Sequence, residues 1–168
     1  GRLLLPAEGE GRNAVYAASL GWDVRAFDYS DAAKSKAMAL AGARGVRIAY
    51  DVLDVDGFQC DDSYDMVALV YAHFPPGIRG VLFDMCTRCL RPGGTLMMEV
   101  FGKEQLGRPS GGPKTSELLY SADEIRVLLD GLHITALSEQ RIHLDEGALH
   151  QGEADVVRCV ARAHPSHA

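Results

Sequence analysis

Short apolar runs alternate with helix-like stretches along the chain, and few folds accept that order. Leu3–Ala7, Val24–Phe27, Val46–Tyr50, Met66–Val70 and Thr95–Phe101 read as strands. Asn13–Leu20, Asp31–Leu40 and Ile78–Leu90 read as helices between them, stopped by Gly21, Gly42 and Arg91-Pro92-Gly93-Gly94. Ser121 and Glu124 form a capping-box pattern for a further helix ending near Gly131. Repeated strand–helix alternation predicts a parallel sheet with helices on both faces. The last two strand candidates, Ile134–Ile142 and Ala154–Ala163, have no helix between them. They predict an antiparallel hairpin at the end of a seven-stranded α/β sheet.

Composition narrows what such a sheet serves. The 168 residues include 17 Lys and Arg against 23 Asp and Glu, a net charge of −6. That balance argues against a nucleic-acid groove, because phosphate binding draws on cations. No apolar run approaches the ~18 residues of a membrane span, so no membrane partner is expected. Four unevenly spaced cysteines do not resemble a disulfide framework. A reducing, cytoplasmic setting is the expectation, with Cys60, Cys86, Cys89 and Cys159 as packing residues. Residues 1–163 are expected to form one domain and 164–168 a flexible tail. The chain opens on Gly1-Arg2-Leu3, already at a core strand, so a preceding segment is expected.

In an open α/β sheet, ligands bind beyond the carboxyl ends of the strands near the switch point. The loop after the first strand is Glu8-Gly9-Glu10-Gly11-Arg12-Asn13. Two glycines one residue apart let backbone approach a ligand, and the helix that follows presents unpaired N–H groups. Gly9-x-Gly11-x-x-Ala14 also fits the dinucleotide fingerprint. Asp28 ends the second strand, where a carboxylate can accept from both ribose hydroxyls, and Tyr29 follows it. Asp54 follows the third strand and can take an adenine amino group while Val55 packs on the base. Val70 ends the fourth strand, Tyr71 and His73 follow it, and Glu146 and His150 lie on the closing hairpin.

Arg91-Pro92-Gly93-Gly94, the Tyr64-Asp65-Met66-Val67 start of the fourth strand, Asp28, Asp54 and the terminal hairpin occur here in one order. In that order they resemble class I S-adenosylmethionine-dependent methyltransferases, across the whole chain. Glu8-Gly9-Glu10-Gly11-Arg12-Asn13, His73-Phe74-Pro75-Pro76, Gly111-Gly112-Pro113-Lys114 and Glu146-Gly147 with His150 and Gly152 look like a small bacterial branch. That branch is related to tellurite-resistance and thiol or thiopurine S-methyltransferases. The resemblance implies a Rossmann-like methyltransferase sheet, S-adenosylmethionine as cofactor and S-adenosylhomocysteine as product. It implies a cofactor site of Ala7, Glu8, Gly9, Glu10, Gly11, Asn13, Asp28, Tyr29, Asp54, Val55 and Val70.

For the acceptor, a small molecule such as a thiol or a chalcogen oxyanion, the resemblance implies Tyr71, His73, Glu146 and His150. His73 is the candidate catalytic residue, and no metal is required. Two departures stand out. Leu5 occupies the position of the family's usual acid at the end of the first strand, and Ala7 that of its first glycine. Methionine recognition there is then left to backbone groups, Glu8, Glu10 or Arg12. The family's N-terminal covering segment is expected to precede Gly1.

The Gly102–Thr115 loop is long enough to act as a moving cover, with Lys103, Arg108 and Lys114 drawing in an anion. Two other readings stay open. An NAD(P)-binding oxidoreductase shares the glycine loop and Asp28 but not the Arg91-Pro92-Gly93-Gly94 turn or the helix-free hairpin. A non-catalytic binding module on the same scaffold is the other.

Overall fold

The computed structural model describes residues 1–60, 63–145 and 151–165. Its seven strands lie in one sheet of order β3-β2-β1-β4-β5-β7-β6. They are β1 Arg2–Pro6, β2 Asp23–Asp28, β3 Ala49–Val52, β4 Tyr64–Val70, β5 Leu90–Phe101, β6 His133–Asp145 and β7 Gln151–Arg162. β1 to β5 run parallel, while β7 pairs antiparallel with both β5 and β6. The helices are α1 Arg12–Ser19, α2 Asp31–Arg44, α3 Pro76–Cys89 and α4 Ala122–Leu128. This is the expected sheet, with the hairpin strands in the order that places the last one inside.

Period-two alternation divides the sheet into two cores. Leu3, Leu5, Val24, Ala26 and Ala68 pack with Ala14, Val15 and Ala17 of α1 and Ala37 and Ala41 of α2. Leu4, Val67, Leu69, Leu96, Met98 and Val100 pack on the other face with Leu82, Phe83, Met85 and Cys86 of α3 and Ile125 of α4. Among the described residues no helix is long and apolar enough to cross a membrane.

Local signals place most boundaries. Ser30 caps α2 by accepting the Ala33 N–H at 3.2 Å. Ser121 and Glu124 form the reciprocal box at the start of α4. Gly42 does not stop α2; Gly45 does, at φ 65°. Arg91-Pro92-Gly93-Gly94 lies within β5 as an irregularity: Leu90 pairs with Tyr64 and Thr95 with Met66. A Cβ on Gly94 would lie 2.9 Å from the Arg91 carbonyl and 3.0 Å from that of Tyr64, so the crossing admits only glycine. The Gly93 N–H donates to the carbonyl of His164 at 3.3 Å, tying down the start of the expected tail. Residues 166–168 lie outside the described ones.

The cysteine reading needs correction. Cys60 and Cys89 are joined as a disulfide, with Cα atoms 5.6 Å apart. Cys86 and Cys159 are buried thiols as expected. The pair links the segment after β3 to the end of α3, a proximity that spacing along the chain does not reveal.

Arg79 is a buried cation, 3% exposed, in the first turns of α3. Its guanidinium donates to the carbonyls of Phe74, Glu117 and Leu119 and pairs with Glu124 at 3.5 Å. It also lies 3.9 Å over the Tyr120 ring. It thereby fastens the 115–120 segment to the end of β4. Arg79→Leu should lower unfolding free energy by about 3–5 kcal/mol, because it strands buried carbonyls and an acid. Arg79→Lys should recover only a minor part, since an ammonium cannot serve this fork. Urea unfolding of both variants measures it, and near-native stability in either would remove Arg79 from this role.

Candidate functional site

β1 adds strands to one side through α1, while β4 begins the other half of the sheet, so the carboxyl ends of β1 and β4 border the switch point. Two non-glycine residues with positive φ are found among the described residues. They are Ala7 at φ 53°, just after β1, and Tyr71 at φ 50°, just after β4. Side-chain–bearing residues adopt this backbone at a cost and concentrate at functional positions. The strain thus marks the edge that the sheet order marks.

The glycine loop is fastened from three directions. The Asp28 carboxylate accepts the Gly9 N–H at 3.1 Å with one oxygen and the Ser30 N–H at 3.0 Å with the other. The Glu8 N–H donates to the Phe27 carbonyl at 3.2 Å. The Tyr50 hydroxyl donates to the Gly9 carbonyl, and Lys36 pairs with Glu10. Gly11, at φ 82°, would place a Cβ 2.4 Å from that of Ala37, so α1 starts directly against α2. Above Gly9, at φ 65°, a Cβ would meet nothing within 4 Å. An open cradle therefore lies over the loop, beside the acid that anchors it.

Glu8 and Glu10 both have partners within the protein. The buried Glu8 carboxylate accepts the Ala14 N–H at 2.7 Å and faces the Asn13 amide at 3.4 Å. It fills the N-terminus of α1, where unpaired N–H groups favour an acceptor. Burial raises its pKa to about 7, and neighbouring Asp28 adds to the rise.

Beside Asp28, Tyr29 is 77% exposed. Asp54 is exposed and precedes the 3-10 turn Val55–Gly57, in which Val55 is buried. The Leu53 N–H donates to the Asp28 carbonyl at 3.0 Å, which joins this loop to the end of β2. The predicted residues of the first, second and third loops therefore meet along one edge.

His73 has both ring nitrogens engaged by backbone. Nδ1 lies 2.8 Å from the Leu118 carbonyl, and the Phe101 N–H donates to Nε2 at 3.3 Å. The Nδ1–H tautomer satisfies both contacts. Burial, assisted by the charge of Arg79, lowers its pKa to about 4. The imidazole bridges the ends of β4 and β5 to the 116–118 turn and is neutral at pH 7. Glu146 and His150 lie outside the described residues.

The long loop is latched rather than loose. Gln105 Nε2 donates to Ser110 Oγ and to the Gly111 carbonyl, while its Oε1 accepts the Asp155 N–H at 2.8 Å. Ser110 donates to the Glu153 carbonyl, and Arg108 pairs with Asp155. Lys103 pairs with Glu124. Of the loop cations expected to attract an anion, two are thus held by carboxylates.

Comparison with known proteins resolves what such an edge belongs to. A family profile described as a methyltransferase domain matches residues 6–94, more than half the chain. The chain belongs to the class I S-adenosylmethionine-dependent methyltransferases. Hemagglutinin 1 of Eikenella corrodens is 29% identical over 89 residues, 51% of this chain and 29% of that protein. The chain thus matches less than a third of the length of that curated relative. Two solved structures share the fold. A protein studied for conversion of a disulfide bond into a thioacetal group during echinomycin biosynthesis gives a TM-score of 0.80 at 22% identity, covering 99% of this chain and 78% of its own. TehB from Haemophilus influenzae gives 0.76 at 14% identity, covering 96% and 57%.

This methyltransferase has a site suited to its family's cofactor, S-adenosylmethionine. Asp28 uses two of about four lone-pair directions on backbone N–H groups and keeps the others for hydroxyl donors. The glycine loop leaves its cradle open, and Tyr29 and Asp54 flank it.

Glu8 and His73 give this methyltransferase two opposed pH dependences. From its ordinary 4.5 to about 7, Glu8 retains a proton that the unfolded chain has released, so its contribution to stability falls as pH rises. From about 4 to its ordinary 6.5, His73 lacks a proton that the unfolded chain binds, so its contribution rises. Glu8→Gln should remove the first slope and raise stability above pH 7 by up to about 3 kcal/mol, at 1.36 kcal/mol per unit. His73→Gln should remove the second and lower stability at every pH. Urea titrations from pH 4 to 8 check both; variant curves parallel to wild type would refute the assignment.

Proposed function

We propose that this methyltransferase acts on a small-molecule nucleophile that reaches the edge as an anion or loses its proton readily, a thiol or a chalcogen oxyanion. The observation that supports this acceptor class is the double backbone engagement of His73, which leaves its ring without an unpaired nitrogen for base catalysis. An alcohol acceptor needs such a base; a thiol, with a pKa near 8.5, ionises appreciably near neutrality.

In this reading Gly9 and Gly11 admit the cofactor's backbone-recognised end, and Asp28 accepts from its ribose. Asp54, Val55 and Tyr29 border its base, and Ala7 and Val70 line the floor of the switch point. Residues 1–163 act as one domain for this purpose. S-adenosylmethionine supplies an electrophilic methyl group on a sulfonium that leaves as a neutral sulfide. The chain's own work is to bind the two partners in line and to exclude water. His73 contributes by holding the ends of β4 and β5 in register with the 116–118 turn, and Tyr71 by its ring. A nucleic acid as acceptor fits poorly with the net charge of −6.

Two measurements test the reading. Asp28→Ala should weaken S-adenosylhomocysteine binding by calorimetry roughly 10- to 150-fold, the range for hydrogen bonds to a charged group. Unchanged affinity in a folded variant would remove Asp28 from the site. His73→Ala should lose stability, and its loss of turnover should be the same for acceptors of low and high pKa. A loss that grows with acceptor pKa would instead make His73 a general base.

A further inference from the structure

At the end of β4 an aromatic residue on an uncommon backbone is held at two points by Glu99. Tyr71 has φ 50°. Its amide N–H donates to the Glu99 carbonyl at 2.8 Å, and its hydroxyl donates to Glu99 Oε1, also at 2.8 Å. Both ends of the tyrosine are therefore fixed to one residue of β5. The other carboxylate oxygen of Glu99 accepts from Nε of Arg158 on β7, its register partner. Arg158 reaches on to Gln140 of β6 at 3.5 Å. The Tyr71 ring, so oriented, stacks on Phe101 with centroids 4.6 Å apart and an interplanar angle of 25°.

A bland account is available for part of this. Glu99 and Arg158 form a cross-strand pair with side chains 24% and 45% exposed, and such pairs contribute about 0–1 kcal/mol. That account leaves the tyrosine unexplained. A surface ion pair does not require a neighbouring aromatic residue to adopt a left-handed backbone, which costs roughly 1–2 kcal/mol. The strained residue directly follows Val70, at the strand end that borders the switch point. Its ring also packs on the small apolar cluster of Phe101, Leu144 and Val156.

We propose that Glu99 is a positioning residue for methyl transfer, acting through the Tyr71 hydroxyl to fix an aromatic wall of the acceptor recess, with Arg158 orienting the carboxylate. The inference rests on the methyltransferase reading and extends it to residues of β5 and β7 outside the cofactor loops. It assigns the effect to the acceptor and not to the cofactor, because Glu99 and Tyr71 lie on the β4–β5–β7 side of the switch point, whereas Asp28 and Asp54 lie on the β2–β3 side.

The test uses Tyr71→Phe, Glu99→Ala, Glu99→Gln and the Tyr71→Phe/Glu99→Ala pair. Thiophenol and a small aliphatic thiol serve as probes. Tyr71→Phe and Glu99→Ala should each lower kcat/KM for thiophenol roughly tenfold or more, the effect of losing a hydrogen bond to a charged group. S-adenosylhomocysteine affinity should stay within about twofold of wild type. The double variant should be no worse than either single one, since both remove the same contact. Glu99→Gln keeps an oxygen acceptor and should recover most of the loss.

A second readout needs no turnover. In ligand-free protein labelled at tyrosine Cζ, the resonance that Tyr71→Phe deletes should shift in Glu99→Ala and shift less in Glu99→Gln. Additive losses, or unchanged kinetics in a folded Tyr71→Phe enzyme, would overturn the proposal. So would an unshifted resonance, even where Glu99→Ala proves unstable and only the glutamine variant is measured. A wild-type enzyme that binds S-adenosylhomocysteine but methylates neither thiol would refute the acceptor class, while the resonance would still report on the contact.

Discussion

The site depends on one carboxylate that holds two loops together. Asp28 takes an N–H from Gly9 after β1 and another from Ser30 after its own strand, so the ends of β1 and β2 are fixed to each other. The Asp28 backbone carbonyl then takes the Leu53 N–H and draws in the loop after β3. Three loops that parallel pairing leaves merely adjacent become one surface. A hydrogen-bonded carboxylate suits this task, since its remaining lone pairs stay directed outward. An apolar residue at 28 would bring the strands together through packing and leave the loop amides unsatisfied.

The opposite half of the edge is built by a different means. There a line of rings runs from Tyr71 through Phe101, His73 and Tyr120 to Phe83, with successive centroids 4.6, 5.6, 5.8 and 6.4 Å apart. Arg79 covers Tyr120 and satisfies the carbonyls around it. Burial disfavours a charge on the His73 imidazole, and the fixed cation of Arg79 beside it adds to the effect, so His73 remains neutral. The β1–β2–β3 half of the edge is therefore joined by backbone amides and a carboxylate, and the β4–β5 half by stacked rings around a buried guanidinium.

What was legible in the sequence was what neighbouring residues determine. The glycine loop, the acid closing β2 and the Ser121–Glu124 box are signals a few residues long, and each appears in the structure where its spacing puts it. Gly42 misled because an exposed helical glycine costs only about 1 kcal/mol, and α2, anchored by buried Ala37 and Ala41, continues through it to Gly45. β3 begins three residues later than its apolar run, because pairing with Arg25–Asp28 defines the strand. Arg79, Glu99 and the Cys60–Cys89 link were not legible. Phe74 lies 5 residues from Arg79, but their other partners lie from 28 to 59 residues away along the chain, and no local pattern encodes them. His73 was legible as a position but not as a role, since its partners, Leu118 and Phe101, are backbone groups of other elements.

The charge of the protein bears on the acceptor through approach and not through chemistry. A net charge of −6 repels anions at long range, but this field fades over about 8 Å at physiological ionic strength. A thiol approaches neutral and gives its proton to solvent as it ionises, so it meets the repulsion over only part of its path. A chalcogen oxyanion carries its charge throughout and meets the field on the way in. Arg108 and Lys103 do little to offset that field, because Asp155 and Glu124 already hold them. Between the two acceptor types the proposal admits, the electrostatics of this chain therefore favour the thiol.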